Sequence, residues 1–130
     1  MLILTIRTDK PEAEIGLYND AAQIDYMDWL AHRQLAETIH LKVDELLTAH
    51  GLRLIDVKGI VCFKGPGSFT GLRIGLTVAN ALAESLVVPC VASQDPGWIE
   101  TGVKKLLRGE NDRPALPEYG APVHITPQKK

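Results

Sequence analysis

Eleven residues concentrate the chemistry open to this sequence: Gly65-Pro66-Gly67-Ser68-Phe69-Thr70-Gly71-Leu72-Arg73-Ile74-Gly75. Glycines with serine and threonine hydroxyls, between an apolar run and a helical one, suit an anion-binding turn. Backbone N–H groups and the helix dipole converge at such a place. The spacing matches no standard phosphate loop. The third glycine falls one residue late for G-x-G-x-x-G, and Gly71-Leu72-Arg73 stands where a Walker loop has Gly-Lys-Ser/Thr. Ser68 is no nucleophile elbow either, because Pro66 and Thr70 occupy the flanking glycine places. The same residue types also build a plain strand-to-helix turn, with Ser68 or Thr70 as N-cap and glycines where the backbone needs positive φ or close approach. Gly65, Gly67, Ser68, Thr70 and Gly71 are therefore candidates for an anion site or for capping. Arg73 leans toward the first, since a cation in the first helical turn costs roughly 0.3 kcal/mol unless an anion or a partner carboxylate answers it.

Other reactive residues are scattered. His32, His40, His50 and His124 show no metal-like pairing, so solvated or capping histidine is the expectation, with His32-Arg33 placed to touch a ligand. Asp9, Glu12 and Glu14 could pair for acid–base or metal work, but a solvated turn explains them. Cys62 and Cys90 lie in apolar runs and read as reduced core thiols. No catalytic residue, metal set or cofactor is expected from these patterns.

The elements that must position the loop are legible from periodicity. Leu2, Leu4 and Ile6, then Ala13, Ile15 and Leu17, alternate with their neighbours around the turn Thr8–Glu12, which gives a hairpin. Ala21 to Leu30 reads as a third strand with a bulge or strand end near Tyr26. From Gln34 to His50 the stripe Leu35, Ile39, Val43 and Leu46 marks an amphipathic helix with Gly51 as its C′ residue. Gly59–Phe63 is a strand covered on both faces. After the loop a second helix runs to about Leu86, then a strand Val87–Ala92 whose Pro89 marks an edge or end. Strand, helix and strand make a right-handed βαβ unit. Trp98–Leu107 fits a short helix. Residues 1–108 thus form one lobe, and Pro114, Pro117, Pro122 and Pro127 make 109–130 an extended tail.

The second helix carries an unusually narrow wet stripe of Arg73, Thr77, Asn80 and Glu84, so it must be covered on more than one side. Gly75, Ala79 and Ala83 form a lane of small residues down which another helix could approach. The cover is either the neighbouring helix or a partner.

Composition bounds the rest. At 130 residues, 45% hydrophobic and 23% charged, the chain builds one core. A net charge of -2 gives no general attraction to nucleic acid. No apolar run reaches membrane-span length and the N-terminus lacks signal-peptide features, which points to the cytoplasm.

The run Gly65–Gly75 after an apolar strand closely resembles the signature of the bacterial TsaB (YeaZ-like) family. Ile60–Ala92, ending in Val88-Pro89-Cys90-Val91, follows that pattern throughout. His32, the helix ending Val43-Asp44-Glu45-Leu46-Leu47 and the hairpin Leu2–Tyr18 also sit where the family has them. The resemblance covers roughly the first 95 residues. It implies an α/β, actin-like and ribonuclease-H-like lobe that is not an enzyme on its own and carries no cofactor. It also implies pairing with the catalytic paralogue TsaD and the small ATPase TsaE, to place threonylcarbamoyl on the adenosine after the anticodon. Docking on the two helices is implied, carried by Leu35, Ile39, Val43, Arg73, Leu76, Thr77, Asn80 and Ala83, with tRNA met indirectly and a homodimer through the same helices as the isolated state. The runner-up is a stand-alone anion- or nucleotide-binding domain, or a nucleotide-dependent enzyme or peptidase.

Two departures from the family pattern bear on this. Arg7-Thr8-Asp9 follows the first strand where relatives have Asp-Thr-Ser, replacing a carboxylate by a cation that would repel metal–ATP. Relatives also carry a second lobe, for which this chain offers only Asp95–Lys130. The expectation is that the middle of that lobe is lost and that the remaining half works by docking.

Overall fold

Alternating apolar residues bring three strands together first. In the computed structural model, which describes residues 1–31, 34–67, 69–112 and 114–116, β1 (Leu2–Arg7), β2 (Glu12–Asn19) and β3 (Ala22–Leu30) form an antiparallel meander. The chain then alternates: α1 (Leu35–Thr48), β4 (Gly59–Phe63), α2 (Phe69–Leu86), β5 (Cys90–Ser93) and α3 (Trp98–Leu107). The five strands make one sheet in the order β3-β2-β1-β4-β5, with β1–β4 and β4–β5 parallel. The sheet is mixed, as the hairpin and βαβ patterns require. No helix among the described residues is long and apolar enough to cross a membrane.

Strand parity divides the core in two. Leu4, Ile6, Ile15, Leu17, Ile60 and Cys62 face α1 and α2, which contribute Ile39, Leu46, Leu47, Leu76 and Ala79. Ile3, Val61, Phe63 and Val91 face α3, which contributes Trp98, Val103 and Leu106. Coverage on both faces is why β4 reads as an unbroken apolar run. Cys62 of β4 and Cys90 of β5 are buried thiols not joined in a disulfide, and burial pushes the Cys62 thiol well above its ordinary pKa.

Local signals hold at the turns, with two corrections. α1 closes on Gly51 at φ 68°, where Gly51 N–H donates to Thr48 O (3.0 Å) and Leu52 N–H to Leu47 O (2.9 Å). The irregularity expected near Tyr26 lies earlier: Leu17 opposes Asp25 and Tyr18 opposes Gln23, so Ile24 is the extra residue. That insertion puts Tyr26 opposite Gly16, with its ring in the space a side chain at Gly16 would fill and its hydroxyl donating to Glu14. At its Gly75 end the lane of Gly75, Ala79 and Ala83 meets Thr8 at the end of β1 and not another helix. All three are buried, and a Cβ on Gly75 would lie 2.1 Å from Thr8 Oγ1. The small residues let α2 close on the end of β1, where Thr8 Oγ1 donates to Gly71 O (2.7 Å).

Residues 111 and 112 finish the sheet. Asp112 N–H donates to Cys90 O (2.8 Å), Cys90 N–H donates to Asn111 Oδ1 (3.1 Å) and Ala92 N–H donates to Asp112 Oδ2 (3.0 Å). Lys105 Nζ joins them, 2.5 Å from Asp112 Oδ2 and 3.0 Å from Ala92 O. The polar pair thereby satisfies the outer edge of β5. The tail expected from residue 109 starts bound to the lobe, and from residue 117 onward it lies outside the described residues.

Two predictions follow from this packing. Alanine is the better helix former by about 1 kcal/mol, yet Gly75→Ala should lower stability by about 1–3 kcal/mol through overpacking against Thr8; urea unfolding measures it. Burial alone would raise the Asp112 pKa, but the Lys105 and Ala92 bonds outweigh it and hold the carboxyl below its ordinary 3.8. Its folded pKa being the lower, its contribution is complete above pH 3.8 and is lost as pH falls through the folded value. Stability should therefore fall less steeply below that pH in Asp112→Asn than in the unaltered chain.

Candidate functional site

Two places bring together residues singled out in the sequence. The first is the end of the sheet where β1, β4 and β5 all terminate. Arg7, the last residue of β1, turns its guanidinium over the Phe63 ring, 3.8 Å from the centroid. It pairs with Asp9 (2.8 Å) from the hairpin turn and Asp95 (3.1 Å) from the loop before α3. Arg7 and Asp9 side chains are only 14% and 8% exposed. Burial alone would lower the arginine pKa, and the two carboxylates more than offset that, so the cation is held firmly.

This cluster decides what the glycine loop meets. A Cβ at Gly67 would lie 2.5 Å from Asp9 Cβ and 3.2 Å from its Oδ2, so the glycine lets the loop pass against a carboxylate. Gly65 is buried at φ 109°, a conformation that favours glycine. Asp9 stands beside the start of α2, where a negative charge complements the helix dipole. An incoming phosphate would face it. Ser68 lies outside the described residues, as do His32, Arg33 and His124. His50 joins the end of α1 to β3 through Asp25 (2.7 Å), which holds that carboxyl below its ordinary range. Glu14 is engaged by Tyr26 and by Lys10 (3.2 Å). Among the described residues no three of His, Cys, Asp and Glu converge as a metal set would.

The second place is the seam between α1 and α2. A groove of about 420 Å³ runs along it, lined by Ala36 and His40 of α1 and by Thr70, Arg73, Ile74, Thr77 and Val78 of α2. Ile74 and Val78 are half-buried and form an apolar floor, while His40, Arg73 and Thr77 make an exposed polar rim. At His40 the groove meets a smaller hollow of about 180 Å³ walled by Val43, Asp44, Leu47, Leu54 and Leu82.

The structure sorts the eight residues expected to dock a partner. Leu35, Ile39, Val43, Leu76 and Ala83 are at most 5% exposed and belong to the lobe's own core. The apolar stripes that marked them are the faces that cover the sheet. Arg73 and Thr77 are exposed on the groove. Asn80 is bonded through both ends of its amide to Ala115, with Nδ2 donating to Ala115 O (3.0 Å) and Ala115 N–H donating to Oδ1 (2.8 Å). Along α2, Thr70, Arg73, Thr77, Ala81, Glu84 and Ser85 are exposed, so the wet stripe keeps Arg73, Thr77 and Glu84 while Asn80 is half-buried. Sequence reasoning missed Ala36, His40, Ile74 and Val78. Each α1 member stands one position beyond a stripe residue, which is the signal that would have found it.

Comparison with known proteins gives a consistent picture. The family model described as TsaD: tRNA N6-adenosine threonylcarbamoyltransferase matches residues 29–94. The tRNA threonylcarbamoyladenosine biosynthesis protein TsaB of Escherichia coli (strain K12) is 34% identical over 113 residues, 82% of this chain and 48% of that protein. YeaZ from Pseudomonas aeruginosa superposes with a TM-score of 0.66 at 29% identity, over 72% of this chain and 44% of that one. The chain thus spans about half the length of these relatives. RuvC of T. thermophilus, at 15% identity and a TM-score of 0.55 over 96% of this chain and 85% of its own, shares the fold alone, a ribonuclease-H-like, actin-like α/β arrangement.

Removing the buried cation tests the first place. Arg7→Ala leaves Asp9 and Asp95 facing each other and uncovers Phe63, and should cost about 2–4 kcal/mol. Adding Asp9→Asn should recover part of that loss. Denaturant unfolding of the single and double variants reads the coupling, and additive effects would contradict it.

Proposed function

Because this chain belongs to the TsaB (YeaZ-like) family, we propose that it is a non-catalytic subunit for threonylcarbamoyladenosine formation in tRNA, docking a TsaD-like catalytic subunit through the α1–α2 groove. The observation that carries this reading is the groove itself, an apolar floor with a cationic rim along the flank of α2 that faces α1. Such a shape suits a partner helix that lays aliphatic residues on Ile74 and Val78 and offers a carboxylate to Arg73. A partner built on a related lobe supplies helices of that kind. A TsaE-like ATPase and the tRNA would be reached through this partner. In isolation, a second copy of the chain would compete for the same face.

The end of the sheet beside the start of α2 supports a role without nucleotide chemistry. Asp9 stands against Gly67 of the loop, and the cation beside it, Arg7, is already engaged by both Asp9 and Asp95. Phosphate groups gain little there.

The test uses exposed groove residues, since a charge at buried Ala83 would test folding instead. Thr77→Arg and Ala36→Glu should each weaken the complex with the TsaD-like subunit at least about tenfold, or ~1.4 kcal/mol. Thermal stability should stay within about 0.5 kcal/mol of the parent. Unchanged affinity in both variants would sink the groove as the interface. In reconstituted tRNA modification, omitting the chain should lower product formation, and the chain alone should form none.

A further inference from the structure

The sheet has two edges, and the chain treats them differently. Along β5 the side chains of Asn111 and Asp112 accept the outward amides of Cys90 and Ala92. Along β3 no further strand follows among the described residues. Ala31 N–H donates to Pro11 O (3.0 Å), so the alternation of an antiparallel ladder turns the backbone groups of Met27 and Trp29 toward β2 and those of Tyr26, Asp28 and Leu30 outward. The first half of this edge is closed. Ile24 is an extra residue, and Asp25, held by His50, accepts the outward Tyr26 N–H on its Oδ1 (2.7 Å). The second half, residues 26–30, has no bulge, proline or lysine to blunt it. Strand parity puts Tyr26, Asp28 and Leu30 on the α3 side and Met27 and Trp29 on the α1 side. On the first side Asp28 is exposed opposite Glu14, and Leu30 is 59% exposed opposite Glu12. On the second, α1 runs back along β3, from Trp29 Nε1 donating to Thr38 Oγ1 (3.0 Å) to His50 on Asp25 (2.7 Å). Leu41, on the Thr38 face of α1 and 63% exposed, therefore overhangs the same edge.

We propose that residues 26–30 of β3 receive an extended segment of another protein as a further strand of the sheet, one that sets a lysine or arginine against Asp28 with aliphatic residues around it. The outward carbonyls of Tyr26 and Asp28 and the outward N–H groups of Asp28 and Leu30 bond its backbone, and its alternate side chains supply specificity. The basic residue answers Asp28 and the neighbouring Glu14. Aliphatic residues two places from it cover Leu30 and the Tyr26 ring, and those between lie beneath Leu41, beside Met27 and Trp29. A second copy of β3 fits worse. Full antiparallel overlap of residues 26–30 sets Asp28 against Asp28 of the copy, each with Glu14 alongside, and like charges directly opposite disfavour pairing. Thr38 and Leu41 lie on the flank of α1 turned away from Ala36 and His40, so this surface is independent of the groove and of what docks there.

The probe is the fluorescent peptide Thr-Ile-Val-Lys-Val-Ile-Thr, with a counterpart carrying glutamate in place of lysine, each added to the full chain. The lysine peptide should bind at least about tenfold more tightly, since the exchange removes an opposite-charge pair and adds a like-charge one. In Asp28→Lys the order of the two peptides should reverse. Methylating the backbone nitrogen of the peptide's lysine should abolish binding, because that N–H donates to the Asp28 carbonyl. Hydrogen exchange at the Asp28 and Leu30 amides should slow on adding the lysine peptide, while the amide signals of Arg73 and Thr77 in the groove stay in place. No binding of the lysine peptide at about 1 mM, or equal binding of the two peptides, overturns the proposal. Binding that Asp28→Lys leaves unchanged, or that moves the Arg73 and Thr77 signals instead, also overturns it. Slowed exchange at Asp28 and Leu30 in the chain alone, as its concentration rises, overturns it as well, since the occupant is then a second copy.

Discussion

The guanidinium of Arg7 fixes the end of the sheet from which every part of the site departs. It ties the hairpin turn through Asp9, the end of β4 through Phe63 and the loop before α3 through Asp95. Phe63 in turn meets Trp98, the first residue of α3, edge-on at 5.8 Å between centroids. A cation so little exposed is costly unless paired, and the two carboxylates offset that cost only while their loops hold position. The charge therefore acts as a geometric constraint. Asp9 so placed bears on Gly67, and Thr8, its neighbour, takes up the space beside Gly75. Those two contacts set where α2 begins and how closely it approaches β1, and hence the width of the seam with α1.

α2 is the element most heavily shared. Its inner face covers the sheet, one flank meets α1, and the other carries Ala115 through Asn80. What remains wet is the stripe that the sequence displayed. The free edge of β5 is handled by side chains as much as by backbone, with Asn111 and Asp112 standing in for a further strand. Lys105 neutralises the carboxylate this brings against the edge. The C-terminal stretch thus closes an edge and then climbs onto α2, two tasks that leave it beside the groove.

Much of this was legible because the signals are local. Period-two alternation located β1 and β2, the stripe Leu35, Ile39, Val43 located α1, and Gly51 located its end. The glycine loop was placed correctly between a buried strand and a helix. What escaped depends on contacts distant in sequence. Arg7 looked like a departure from a family pattern, and its partner Asp95 lies 88 residues away. Asn111 and Asp112 looked like loop composition, because nothing nearby shows that a strand edge 20 residues earlier needs an acceptor. The apolar stripes identified the helices but could not say which apolar face meets the sheet and which meets a partner. The core residues were therefore assigned to docking, and Ala36 and His40, just beyond the stripe, were passed over.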